Sequence, residues 1–221
     1  MVEFSQGYTL PSPSDLVPLQ FKNALAKLFE EPNDTQIPEV KSGVISKTFQ
    51  DPKMLDSLFM GSHVDYAGQE FENAIPIMDA YIKSTDRFRA IEKDSFSREE
   101  RKKIYVFQLI HHFGKVLDEI LSLQNRQIDD FLQLDGDQLM AFFTIVPSLD
   151  IEIELVTERD QHWDRNIERN DIVDISFLSA AIPYCDVVVT EKFWAALIKR
   201  KKLNEKYHTT ILRNLANLNL A

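Results

Sequence analysis

The residues best able to do chemistry fall in two neighbouring stretches, Asn170-Asp171-Ile172-Val173-Asp174 and Cys185-Asp186-Val187-Val188-Val189-Thr190-Glu191-Lys192. Carboxylates that meet from two element ends can hold a hard divalent cation, and such a cation activates water against a phosphodiester. Asp171 and Asp174 are three positions apart and therefore share one face of a helix. Asp171, in a first turn, would also answer the positive helix end with no metal present. The valine run suits a covered strand. Glu191 follows that strand, at the carboxyl edge where open α/β sheets place their ligands, whereas Asp186 precedes it and can cap or solvate the turn. The candidate catalytic residues are Asp171, Asp174 and Glu191, and the candidate metal ligands are these three with Asp186.

Basic residues that would meet a phosphate-bearing substrate are Arg165, Lys199 and Arg200, with His162 nearby and the run continuing through Lys201 and Lys202. The same run also complements the negative end of a helix. Trp194 offers a stacking surface, but its spacing with Ala195 and Leu197 predicts core packing. His111-His112 sits in an amphipathic pattern without the recurring ligands of a zinc site, which predicts a structural role. The single cysteine, Cys185, excludes an intramolecular disulfide and reads as a reduced thiol beside an apolar run.

Several elements must carry these groups. A helix is expected over 171–182, a strand over 185–190, a helix over 191–203 and a short strand over 208–212, an alternation that predicts an α/β end. Upstream, Ser14 or Asp15 caps a helix over 16–30, which Pro32 stops. A connector from Pro32 to Pro52 includes a short extended piece around Val44-Ile45, and short helices are expected over 53–60 and 67–83, the second kinked by Pro76 or limited by it in its first part. Ser97-Arg98-Glu99-Glu100 has capping-box spacing and starts a helix reaching about residue 124. Asp135-Gly136-Asp137 breaks the pattern before a segment at 138–143. Leu149 to Leu155 alternates like a strand, while its charged continuation to Asp160 favours a helix. Residues 1–13 read as an irregular lead-in.

At 221 residues the chain can bury a substantial core. Fifteen Phe against six Gly favour packed helices over a turn-rich sandwich. A mainly helical body over 1–146 and an α/β portion over 147–221, packed as one domain, is the expected organisation. No apolar run reaches the roughly 18 residues that cross a bilayer, so no membrane partner is expected and a cytoplasmic location is the default. The net charge of -10 argues against a surface that coats nucleic acid broadly, while leaving room for a small basic patch.

Asp174 followed by Ala180-Ala181, then Val187-Val188-Val189-Thr190 and Glu191, resembles the C-terminal part of PIN-like nuclease domains over about residues 148–215. The resemblance implies a PIN-like three-layer α/β core, Mg²⁺ or Mn²⁺ as cofactor and single-stranded or structured RNA as substrate. Asp174, with Asp171 or Glu191, would hold the cation whose bound water attacks the phosphodiester. Two positions depart from the pattern. The late acidic position is occupied by Lys192, with Glu191 one residue early, and residues 1–13 show no opening strand ending in Asp. A segment supplied by a protein partner is one expectation from these departures, a noncatalytic interaction scaffold or partner subunit with a degenerate PIN-like fold is the alternative reading, and a homo-oligomer is among the expected assemblies.

Overall fold

The computed structural model describes residues 13–30, 62–93 and 95–214. The expected lead-in (apart from Pro13), the extended piece around Val44-Ile45 and the helix over 53–60 lie outside them. Nine helices and two short strands make up the described residues: α1 Pro13–Leu28, α2 Ser62–Glu92, α3 Arg98–Leu123, α4 Ile128–Leu132, α5 Gly136–Thr144, α6 Pro147–Asp160, α7 Arg169–Ala181, β1 Val187–Val189, α8 Lys192–Arg200, α9 Leu203–Lys206 and β2 Thr210–Leu212.

Local chemistry sets most of these boundaries. Ser97 accepts from the Glu100 N–H, and the Glu100 carboxylate accepts from the Ser97 N–H at 2.7 Å, so α3 starts where the capping box places it. Asp135 accepts from the N–H groups of Asp137 and Gln138 and starts α5. Pro147 at the first position of α6 lacks a donor that would have had no intrahelical partner in any case. Pro76 does not limit α2, which runs through it. The ring removes one backbone bond, but its φ is helical. Beyond it, α2 is fastened by Arg89, whose guanidinium donates to the carbonyls of Asp160, His162 and Arg165.

Two apolar clusters meet on α6. Phe21 and Leu25 of α1, Val106, Leu117 and Leu121 of α3, Phe131 of α4 and Phe142 and Phe143 of α5 form the first, which Leu149 and Ile153 of α6 enter. Ile151, Leu155 and Val156, on another side of the same helix, enter the second with Ile175 and Leu178 of α7, Val188, Trp194, Ile198 and Ile211. α6 is thus surrounded on nearly all sides, and Ser148 to Asp150 and Leu155 to Arg159 are buried. The alternation from Leu149 to Leu155 is a helix, because its apolar residues serve two cores instead of one sheet face.

β1 and β2 pair in parallel with Val188 opposite Ile211, joined through α8 and α9. The expected three-layer PIN-like core is therefore corrected to a helical fold, with one three-residue parallel pair among the described residues. A three-layer core needs a sheet wide enough for helices to cover both faces. Here the apolar faces of α1, α3, α4 and α5 close on one another and leave no sheet between them. No helix of the described residues is long and apolar enough to cross a membrane.

Candidate functional site

Asp171 is buried in the first turn of α7, and the Arg165 guanidinium grips it in a two-point fork at 2.8 and 2.6 Å. The Glu168 N–H donates to the same carboxylate at 2.9 Å, which satisfies an open donor at the helix start. Arg165 is itself laid over the Phe193 ring, 4.2 Å from its centroid. Both oxygens of Asp171 therefore answer a guanidinium, a geometry that fixes the turn before α7.

Asp174 lies one turn further along α7 and accepts the Trp194 indole N–H at 2.8 Å. Trp194 belongs to the first turn of α8 and is fully buried, so it is a core residue and not a stacking platform. Glu191 is the N-cap residue of α8, exposed, and its side chain makes no capping bond. Asp174 and Glu191 thus both stand beside the start of α8, just past the carboxyl end of β1. Asp186 is placed at the opposite end of the strand, exposed, where its carbonyl accepts the Thr210 N–H at 2.8 Å.

Strand direction and the Arg165 fork divide the expected ligand set. Asp174 and Glu191 share one end of β1, Asp171 is held in an ion pair, and Asp186 is at the other end. Among the described residues no three His, Cys, Asp or Glu side chains come together closely enough to hold a metal ion. The donor set of these residues does not by itself fit Mg²⁺ or Mn²⁺, each of which takes several oxygen ligands.

A larger electrostatic centre escaped the reading of the sequence. Asp150, Glu154 and Glu158 recur every fourth residue on α6, and each is engaged by cations from other elements. Asp150 accepts from Lys206 at 2.7 Å and from the Tyr207 hydroxyl at 2.8 Å. Burial and this carboxylate push the Tyr207 phenol well above its ordinary range. Glu154 binds Arg98 at 2.6 Å and pairs closely with Lys102. Glu158 binds Arg98 at 2.7 Å, Arg200 at 2.6 Å and Lys201 at 2.5 Å. Burial alone would raise the Glu158 carboxyl, but Lys201 and Arg98 hold it below the usual carboxylate range. The i, i+4, i+8 spacing was the available signal, hidden because the intervening Ile151, Glu152 and Ile153 also fit a strand.

Glu152, on a different side of α6, accepts the Tyr105 hydroxyl at 2.7 Å. Burial raises its carboxyl above the ordinary value despite that bond. Cys185 is half-buried, and burial with Asp186 alongside raises its thiol, which is the behaviour of a structural cysteine. His112 packs edge-on against Phe113.

Of the expected substrate contacts, Arg165 and Arg200 come to one neighbourhood. His162 packs against Phe193, the ring under Arg165, and its Nε2 is 3.5 Å from the Arg200 Nη2. Lys199 is exposed next to Arg200 in α8. Comparison with known proteins returns no matching family model, no matching curated protein and no matching solved structure.

Proposed function

We propose that this chain acts as a noncatalytic scaffold subunit whose small parallel sheet is completed by another polypeptide. The observation that carries this reading is the state of β1. Among the described residues it pairs with β2 alone, and Val187 and Val189 remain exposed on one face while Val188 is buried on the other. Parallel pairs are ordinarily covered on both faces, and two strands make a marginal sheet. A β-branched strand that is paired on one side only among the described residues is a template for an added strand. The commitment of Asp171 to Arg165 and of Asp174 to Trp194 supports a structural use of these acids in the chain by itself.

The test is a photo-crosslinking residue placed at Val189 and, separately, at Lys115, an exposed position on α3. Crosslinks formed in the native cells would be mapped by mass spectrometry. A defined extended segment of one other polypeptide, captured at position 189 and not at 115, is the expected outcome. The same products at both positions, or none, would remove the proposal.

A second reading, metal-dependent hydrolysis of RNA phosphodiesters by the completed assembly, is favoured by the placement of Asp174 and Glu191 at the start of α8. It requires further carboxylates from the partner. Purified chain titrated with Mn²⁺ should then show no binding and no RNA cleavage until the partner is added, and cleavage by the chain alone would contradict both readings.

A further inference from the structure

α2 is fastened to the rest of the molecule by particular residues. Met78 is buried, Arg89 donates to the carbonyls of Asp160, His162 and Arg165, and Asp79 takes a two-point fork from Arg169 at 2.6 and 2.7 Å. A different side of the helix carries Ile77, Ser84, Phe88 and Ile91, all exposed. The three apolar side chains are 72%, 45% and 64% exposed, although α2 is already held in place without them. Positions seven, eleven and fourteen residues after Ile77 share one side of a helix, with the a and d spacing of a coiled-coil seam, over a rise of about 21 Å. A narrow seam of this kind is what a second helix covers, whereas a helix that lies on a membrane presents a broad apolar face.

The charges along this part of α2 are unevenly committed. Asp79 answers Arg169, and Asp86 is 3.4 Å from Arg89. Lys83 and Arg87 are one turn apart on the flank of the stripe, both exposed, and make no hydrogen bond or ion pair among the described residues. Charges that border a seam decide which helix it accepts. Two unanswered cations favour a helix that brings carboxylates to that flank. An antiparallel second copy would set the same cations against each other.

We infer that the Ile77, Ser84, Phe88 and Ile91 side of α2 is a docking surface for an amphipathic helix of another protein, whose apolar seam is bordered by carboxylates that meet Lys83 and Arg87. The inference is independent of the proposed sheet completion, since no residue of β1 takes part. Purified full chain is titrated by anisotropy with two fluorescein-labelled peptides of about four heptads. Both carry leucine at a and d, and the flanking positions are all Glu in one and all Lys in the other. The Glu peptide is expected to bind saturably, at least tenfold tighter than the Lys peptide, and more weakly as salt rises.

The Lys83→Glu, Arg87→Glu double variant should reverse that preference, and Phe88→Gln with Ile91→Gln should abolish binding of both peptides. Lys115→Glu, on α3, should change nothing. The substituted side chains are exposed, so thermal melts of all these variants are expected to match wild type. Equal binding of the two peptides, binding of neither, or a preference that the double variant leaves unchanged would overturn the inference. So would a dimer in sedimentation velocity that Ile91→Gln dissociates, which assigns the stripe to a second copy. Binding to phosphatidylserine vesicles that Phe88→Gln abolishes would assign it to a membrane surface and overturn the inference equally.

Discussion

Asp174 Oδ2 accepts the indole N–H of Trp194 at 2.8 Å, and this one bond joins the outer part of α7 to the first turn of α8. Trp194 fills the core between the two helices, and its N–H has to find an acceptor there. Asp174→Asn keeps an oxygen in position and is expected to cost less than about 1 kcal/mol, whereas Asp174→Ala leaves a buried donor without a partner and should cost about 2 kcal/mol. Urea unfolding followed by tryptophan fluorescence checks both, and equal losses for the two would show that the bond is not the reason for the acid.

The Arg165–Asp171 fork predicts a second pattern. Asp171→Ala removes the acceptor for two guanidinium nitrogens and for the Glu168 N–H together. Because Arg165 can still turn to water, the expected loss is about 2 kcal/mol and not the larger figure of a fully enclosed pair. Arg165→Ala adds the loss of packing on Phe193, so the double variant should fall short of the sum of the singles. Strict additivity in a denaturation cycle would mean that the two residues act separately.

Glu158 sets an acid limit. Its carboxyl lies below the ordinary 4.5 in the folded protein because Lys201 and Arg98 outweigh its burial. A depressed carboxyl contributes stability above the unfolded value and loses it as pH falls through the folded value. Glu158→Gln is therefore expected to lower stability by about 2 kcal/mol at pH 7, with the difference from wild type closing as pH falls below 4.5 and through the depressed folded value. Thermal melts across pH 3–7 measure this, and a gap that stays constant would refute it.

Glu152 carries the opposite sign. Burial raises its carboxyl above 4.5, so the stability linked to its proton is full below that value and disappears as pH rises through the raised one. Glu152→Gln retains an acceptor for Tyr105 and removes the buried charge. It should stabilise the protein by about 1 kcal/mol at pH 7 and leave it unchanged near pH 4. A loss of stability at pH 7 would show that ionised Glu152 is needed by Tyr105 or by its other neighbours.

Much of the local structure could be read directly from residue order. The capping box at Ser97 starts α3, the valine run forms β1, and helices occupy the expected ground around 171–182 and 191–203 because caps, periodicity and β-branching act within a few residues. The alternating stretch at 149–155 was legible as a helix only through the charges that continue to Asp160. Which acids do what was beyond the sequence. Asp171, Asp174, Asp186 and Glu191 are chemically alike in a linear pattern. An arginine six residues upstream, an indole twenty residues downstream and the direction of one short strand decide their places, with Asp174 and Glu191 at one end of β1, Asp171 in an ion pair and Asp186 at the other end. The fold class depended on the same kind of long-range fact. An apolar stripe states that a helix has a buried face but not what covers it. In this molecule α6 is covered by two apolar clusters, and the cations that satisfy its carboxylates arrive from α3, α8 and α9, each more than forty residues along the chain from the carboxylate it meets.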